Sequence, residues 1–343
     1  MDLKEMIFTL SEAAGPSGDE TGAADAAAEL LRPYVDSVTR DVMGNLVGIR
    51  CCKKRGAKCV LLDAHLDEVC LRVTGQDRGF LKFTTVGIDP RLLPGLEVRL
   101  LSQPPVYGVV SCLPPHVLTQ QEREKPFEAD RLYIDCGMTP DEAEKNVPVG
   151  TYAVYATRPF MMGDKLLCGK ALDDRACFAV LVRTMELLRP HTLPVDVCVL
   201  GSLQEESTGM GARVGCFNLM PDYGIAVDVT FGDTPDSPRE QTFPLGDGPT
   251  VGFGPTLNRR MSLNLMQTAQ EQQIPCTREI LEGNTGTNSM QMQICREGIA
   301  AACVSLPLRY MHTPMEAVHL DDVENTARLL AQYILTLGEE AND

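Results

Sequence analysis

The side chains best able to bind metal or move protons fall in five short clusters: His65-Leu66-Asp67-Glu68, Asp173-Asp174, Glu205-Glu206, Asp228 and His312. Two imidazoles with three or more carboxylates suit borderline divalent ions such as Zn, Co or Mn, which take nitrogen and oxygen donors together. Charge balance favours two ions: four positive charges against three carboxylates leave one, which a bridging hydroxide would cancel. Two ions about 3.5 to 4 Å apart around that hydroxide make a hydrolytic centre. Asp67, two residues past His65, projects to the same side of an extended chain and can accept the second ring N–H of the imidazole, fixing its tautomer. Glu205 and Glu206 cannot both face one metal from adjacent positions, so one would ligate while its neighbour acts as general base.

Taken singly, each cluster has an ordinary reading: a lone His near a strand end is structural, an Asp before a helix is a cap, and two Glu are a solvated pair. Position argues against that for the set. The chain holds only five His, and two of them belong here. Apolar runs predict strands over 58–64, 195–201, 224–229 and 300–306, and His65, Glu205-Glu206, Asp228 and His312 stand at or just beyond their carboxyl ends. A helix predicted over 174–188 is opened by Asp173-Asp174. In open α/β sheets the ligand crevice lies outside those carboxyl ends, so five separate segments converge on one place. His116, His191 and His319 have no ligand-like neighbours in sequence.

The rest of the chain supplies the frame. A helix over 3–13 stops at Gly15-Pro16, Ser17 to Glu20 reads as a capping box for a helix reaching about 31, and residues 41–49 read as a hairpin-like pair of strands. From about 73 to 160 the texture changes to short alternating stretches such as Gly79-Phe80-Leu81-Lys82-Phe83-Thr84, punctuated by Gly and Pro. Within it, Thr139 caps a short helix with Pro140 at its first position. Further helices over 259–272 and 321–337 and a strand over 277–281 complete the alternation of helix and strand. The expected architecture is α/β: a mixed, mostly parallel sheet sandwiched by helices, carrying an inserted small β-barrel-like domain. Residues 1–72 and 161–343 would form the discontinuous catalytic domain and 73–160 the insert.

Composition narrows the partners. The 343 residues allow about two domains. Lys plus Arg is 31 and Asp plus Glu is 47, a net charge of −16 that repels phosphate backbones and excludes nucleic acid. No apolar run approaches the roughly 20 residues needed to cross a bilayer, and Met1 to Glu5 lack a basic, apolar leader, so a cytoplasmic location is expected. The 13 cysteines contain no Cys-x-x-Cys pair, and several, including Cys59, Cys177, Cys198 and Cys303, sit in apolar runs. They read as reduced, buried thiols rather than a zinc-thiolate site. The absence of Trp argues against a sugar-stacking platform.

Five segments in order, Ala64-His65-Leu66-Asp67-Glu68-Val69, Gly169-Lys170-Ala171-Leu172-Asp173-Asp174-Arg175, Gln204-Glu205-Glu206, Ala226-Val227-Asp228-Val229-Thr230 and Arg309-Tyr310-Met311-His312-Thr313-Pro314, resemble the signature set of the tetrahedral, or glutamyl, aminopeptidase family. Some members of that family are catalogued as endoglucanases or deblocking aminopeptidases. Gly15-Pro16-Ser17-Gly18, Gly87-Ile88-Asp89-Pro90-Arg91 and Pro114-Pro115-His116 extend the match over nearly the whole chain. The resemblance implies a phosphorylase/hydrolase-like aminopeptidase fold and a co-catalytic centre of two divalent ions, Zn, Co or Mn. In it Asp173 bridges, His65 and Asp228 complete one position, and Glu206 and His312 the other. It further implies Glu205 as general base, Asp67 as the group orienting His65, and short peptides with a free N-terminus as substrates. The insert would mediate self-association into a dimer-built oligomer, typically a dodecamer. Where the family usually has Gly-Thr-Asp-Ala this chain has Gly286-Thr287-Asn288-Ser289, and the stretch from Ser207 to Arg213 also departs from the usual form. Both departures bear on side-chain preference rather than on the ligand set. The competing readings are a metal-free glycosidase built on paired carboxylates, a catalytically silent oligomeric homologue, and a dinucleotide fold resting on Gly209-Met210-Gly211.

Overall fold

A computed structural model describes residues 2–123 and 129–337; Met1 and 338–343, the outer ends of the expected catalytic domain, lie outside the described residues. Helices Leu3–Glu12 and Thr21–Leu31 lead into antiparallel β1 (Ser37–Arg40) and β2 (Leu46–Arg50), then the buried β3 (Cys59–His65). Six strands follow and close into a barrel: β4 (Cys70–Asp77), β5 (Phe80–Val86), β6 (Glu97–Leu100), β7 (Val106–Ser111), β8 (Tyr133–Asp135) and β9 (Tyr152–Tyr155). The chain then returns to the large sheet through β10 (Phe160–Met162), β11 (Leu166–Gly169), β12 (Asp196–Ser202) and β13 (Tyr223–Phe231). It ends with β14 (Thr250–Phe253), β15 (Thr277–Ile280), β16 (Ala300–Arg309) and β17 (Glu316–His319). Strand order is β1-β2-β12-β3-β13-β16-β17-β11-β10, with β14 and β15 attached beside β16.

The four central strands, β12, β3, β13 and β16, run parallel, whereas β2 and β17 close the flanks antiparallel. Strands buried on both faces read as continuous apolar runs, which is why β3 and β12 lack polar alternation. Along β3, Val60, Leu62 and Ala64 enter one core with Phe178, Val199 and Leu330, while Leu61 enters another with Leu200 and Met292. The helix Leu172–Leu188, buried along most of its length, lies in the first core and packs against helix Leu320–Thr336. The barrel has its own core of Val73, Leu81, Phe83, Val98, Leu100 and Ile134. Among the described residues no helix is long and apolar enough to cross a membrane.

Register fixes the level of the polar groups. His65 pairs with Ser202 on β12, and Asp63 pairs with Ala226 on β13, so Asp228, two residues on, stands level with His65 at the carboxyl edge. Local expectations failed in two places. Ser17 does not cap the second helix: its Oγ meets Ser207 Oγ at 2.9 Å, and Glu20 turns back to accept the Gly18 N–H, because Gly18, at φ 102°, redirects the chain. The hairpin expected over 41–49 has its turn at 41–45, where Asp41 accepts the Met43 and Asn45 N–H groups, so β1 precedes Asp41. The Thr139–Glu142 capping box over Pro140–Asn146 is present.

Candidate metal centre

The end of β3 and the loop after it position the first two groups, His65 and Asp67. His65 is 2% exposed, and its Nε2 lies 3.1 Å from Asp173 Oδ1. Its Nδ1 faces Asp67 Oδ1 at 3.3 Å, within ion-pair range but off hydrogen-bond alignment. Asp67 accepts the Glu205 and Glu206 N–H groups at 2.9 and 3.1 Å, so one buried carboxylate fixes the turn after β12 and backs the imidazole. Asp173 opens helix Leu172–Leu188, and its second oxygen, Oδ2, lies 3.3 Å from His312 Nε2. That imidazole also stands 3.2 Å from Glu206 Oε1. Asp228 lies in the carboxyl half of β13, level with His65, with a ligand oxygen grouped within 4.8 Å of His65 and Asp174. Glu205 Oε2 reaches to 4.0 Å from His65 Nε2 with its side chain 19% exposed, the most open of the carboxylates here. All seven residues expected from the sequence therefore gather in one cluster, though Asp67 lies behind His65.

Two further groups join them: Asp174, which the sequence places in the same cluster, and Glu316, which leaves no sequence signal. Asp174 Oδ2 accepts the His65 N–H at 3.0 Å, its Oδ1 is buried with no hydrogen-bond partner, and the carboxylate groups within 4.8 Å of His65 and Asp228. Glu316 accepts the Leu172 and Asp173 N–H groups through Oε2 and the His312 N–H through Oε1, tying two ligand-bearing segments together. Contacts to backbone N–H groups leave no side-chain pattern in a sequence, so Glu316 could not have been found there; the Asp173-Asp174 doublet was the only trace of Asp174. Tyr155, the last residue of β9, donates its hydroxyl to the His312 carbonyl at 3.3 Å. The barrel touches the site again at Gly87, φ 71°, where a Cβ would stand 2.5 Å from Val69 Cγ1 and 3.4 Å from Glu206 Oε2. Ala171, Gln204 and His312 adopt φ of 53°, 60° and 63° beside or within the ligand segments, left-handed conformations costing non-glycine residues roughly 1–3 kcal/mol each.

The charges explain what the cluster needs. Burial pushes Asp174, Asp228 and Glu316 well above the carboxylate range, and neighbouring carboxylates add to the rise. Burial also pushes Glu205 up to about 7, opposed by His65 and reinforced by Glu206, Asp173 and Asp67. Asp173 goes the other way: burial would raise it, but His312 and His65 outweigh that and hold it low. Burial would likewise lower His312, yet Asp173 and Glu206 carry it up to about 11. A buried excess of carboxylates either keeps protons or takes up cations. Glu206 Oε1 and Asp174 Oδ1, buried without hydrogen-bond partners, are acceptors of the kind a cation satisfies. Ligand atoms of His65, Asp173 and Glu206 gather within 4.8 Å, as do those of His65, Asp174 and Asp228, and nitrogen with oxygen donors suits Zn, Co or Mn. The residues fit divalent cations.

A second charge cluster supports the first. Glu68, fully buried, accepts from Lys170 at 2.6 Å, Arg175 at 3.2 Å and the Gly15 N–H at 3.0 Å, pinning the segments before and after β3 to the start of the long helix. Burial pulls Lys170 down to about 8, against the Glu68 carboxylate that favours its charge. Glu68→Ala is expected to cost about 3–5 kcal/mol, because two buried cations lose their partner. Urea unfolding checks this as a lower midpoint at unchanged slope.

Comparison with known proteins agrees in fold and order. Residues 44–329 match the family model described as M42 glutamyl aminopeptidase. A lysyl aminopeptidase of Pyrococcus furiosus is 32% identical over 332 residues, covering 95% of this chain and 94% of its own. The solved structure of a TET aminopeptidase from a marine sediment archaeon, Thaumarchaeota archaeon SCGC AB-539-E09, superposes with a TM-score of 0.92 at 30% identity, covering 98% of both chains. The Pyrococcus horikoshii TET1 peptidase, described as assembling into a tetrahedron or a large octahedral shell, gives 0.86 at 25% identity, covering 98% of this chain and 100% of that one.

Proposed function

Because the chain belongs to the M42 glutamyl aminopeptidase family, we propose that it removes N-terminal residues from short peptides with two divalent cations and Glu205 as general base. Hydrolase activity of the aminopeptidase type follows from membership; the metal count and the residue roles are our reading. The observation that carries it is Asp173, whose two carboxylate oxygens face different imidazoles, Oδ1 toward His65 and Oδ2 toward His312. A carboxylate so shared suits a bridging ligand. His65 and Asp228 would complete one position, with Asp174 beside them, and Glu206 and His312 the other. Zn, Co or Mn ions bound there supply Lewis acidity to the scissile carbonyl and lower the pKa of water.

The protein's own groups do the rest. Glu205, more open than its neighbours and pushed up by burial to about 7, can take a proton from water and return it to the departing amine near neutral pH. Asp67 holds the Glu205 and Glu206 backbone in place and orients His65. In this reading the substrate is a short peptide whose free α-amine docks beside the metal pair, which makes the activity exopeptidic. Residues 73–160 form the self-association domain and residues 1–72 with 161–343 the catalytic one in this reading. Tyr107 and Val109, 63% and 45% exposed on β7, offer apolar surface for a dimer from which a larger oligomer is built; the TET1 relative is described as assembling into a tetrahedron or a large octahedral shell.

Peptides with free amines, as aminoacyl-coumarin substrates, should be cleaved after loading with Zn, Co or Mn, and N-acetylated versions should not. Prolonged EDTA should abolish the activity and readdition of metal restore it. Glycoside hydrolysis that survives EDTA would overturn the proposal in favour of metal-free paired carboxylates.

A further inference from the structure

At the opposite end of the central strands, far from the carboxylates, two thiols meet. Cys59 begins β3 and Cys198 lies on the adjacent parallel β12; in the ladder Cys59 stands opposite Asp196 and Cys198 opposite Leu61, so the two are diagonal neighbours on one face. Their sulfurs lie 3.4 Å apart in a thiol–thiol hydrogen bond. Among the described residues no other sulfur–sulfur hydrogen bond between cysteines is present. The pair is not sealed in the core. Cys198 is 5% exposed, Cys59 is half-buried, and Cys51, exposed, stands near enough for its charge to bear on both. Either sulfur can donate in this bond, which holds the donor thiol up and favours ionisation of the acceptor; with Cys59 as donor, Cys198 is the readier thiolate.

We propose that Cys59 and Cys198 are an oxidative modification site, converted by a peroxide into a disulfide that ties β3 to β12. The Cys198 thiolate attacks one peroxide oxygen; the O–O bond breaks, hydroxide leaves, and the sulfur becomes a sulfenic acid. The Cys59 sulfur then attacks that sulfur; the S–S bond forms, the S–O bond breaks, and the oxygen leaves as water with the Cys59 proton. The two thiols together give up two electrons, and the peroxide, with the hydroxide protonated by solvent, ends as two waters. Closure from contact to the roughly 2.0 Å of a disulfide needs side-chain rotation together with a small approach of the two strands, because diagonal neighbours stand about 7–8 Å apart at Cα and a disulfide takes less than about 7 Å. The site is independent of the metal centre: Cys59 and His65 stand at opposite ends of one seven-residue strand.

The test is peptide mapping of the intact protein after titration with hydrogen peroxide, with unreacted thiols blocked by N-ethylmaleimide and digestion done without reductant. The expected product links the Cys59 and Cys198 peptides, two hydrogens lighter than their sum and separated by dithiothreitol. Cys198→Ser should remove the linked peptide, and Cys59→Ser should leave Cys198 as a dimedone-reactive sulfenic acid. Recovery of Cys59 and Cys198 both as maleimide adducts, whether or not other cysteines are oxidised, would overturn the proposal; so would a link from Cys59 to Cys51 instead.

Discussion

Asp173→Ala should leave a folded protein that holds no divalent metal and cleaves no peptide. Among the described residues Asp173 is the carboxylate within 3.3 Å of both imidazoles, so its loss strips a ligand from two positions at once. Removing a residue that merely supports a metal ligand costs about 10–100-fold in affinity, and removing a shared ligand should exceed that for both ions. Metal analysis after gel filtration reads the loss directly, and circular dichroism checks the fold. Retention of two ions per chain would show that another carboxylate bridges, with Asp174 first in line, since it already groups within 4.8 Å of His65 and Asp228.

Glu205→Gln should do the reverse: bind metal as the parent does and lower kcat by about 10²–10⁴-fold, the range that general acid–base catalysis supplies. The amide keeps the size and backbone bond of Glu205, whose N–H still donates to Asp67, but cannot accept and return a proton. KM should change little, because the lost interaction belongs to the transition state. Stopped assays at saturating peptide, run beside metal analysis, separate this from Asp173→Ala. Equal metal loss in both variants would collapse the distinction between ligand and base.

Much of this was legible because the signals were side-chain chemistry set on buried strands. An apolar run ending in His65 and another leading to Glu205-Glu206 mark the carboxyl edge of a parallel sheet, and once β3, β12 and β13 are in register their ends converge. The barrel was readable from its alternating, Gly- and Pro-broken texture, and its six strands close over a core that alternates as the sequence does. What escaped were groups acting through the backbone. Glu316 organises three N–H groups, and Ser17 trades a helix cap for Ser207; neither leaves a periodic or compositional mark. Among the four-residue strands β15 was read within 277–281, but β11, β14 and β17 were missed, since so few residues carry little pattern to separate strand from loop. The meeting of Cys59 with Cys198, 139 residues apart in sequence, exists only in the folded sheet.

A crystal structure of the protein grown with Zn or Co, phased at the metal absorption edge, bears on the central claim most directly. Two anomalous peaks about 3.5 to 4 Å apart are expected, with Asp173 between them, His65 and Asp228 on one and Glu206 and His312 on the other. One peak, or peaks away from Asp173, would contradict it.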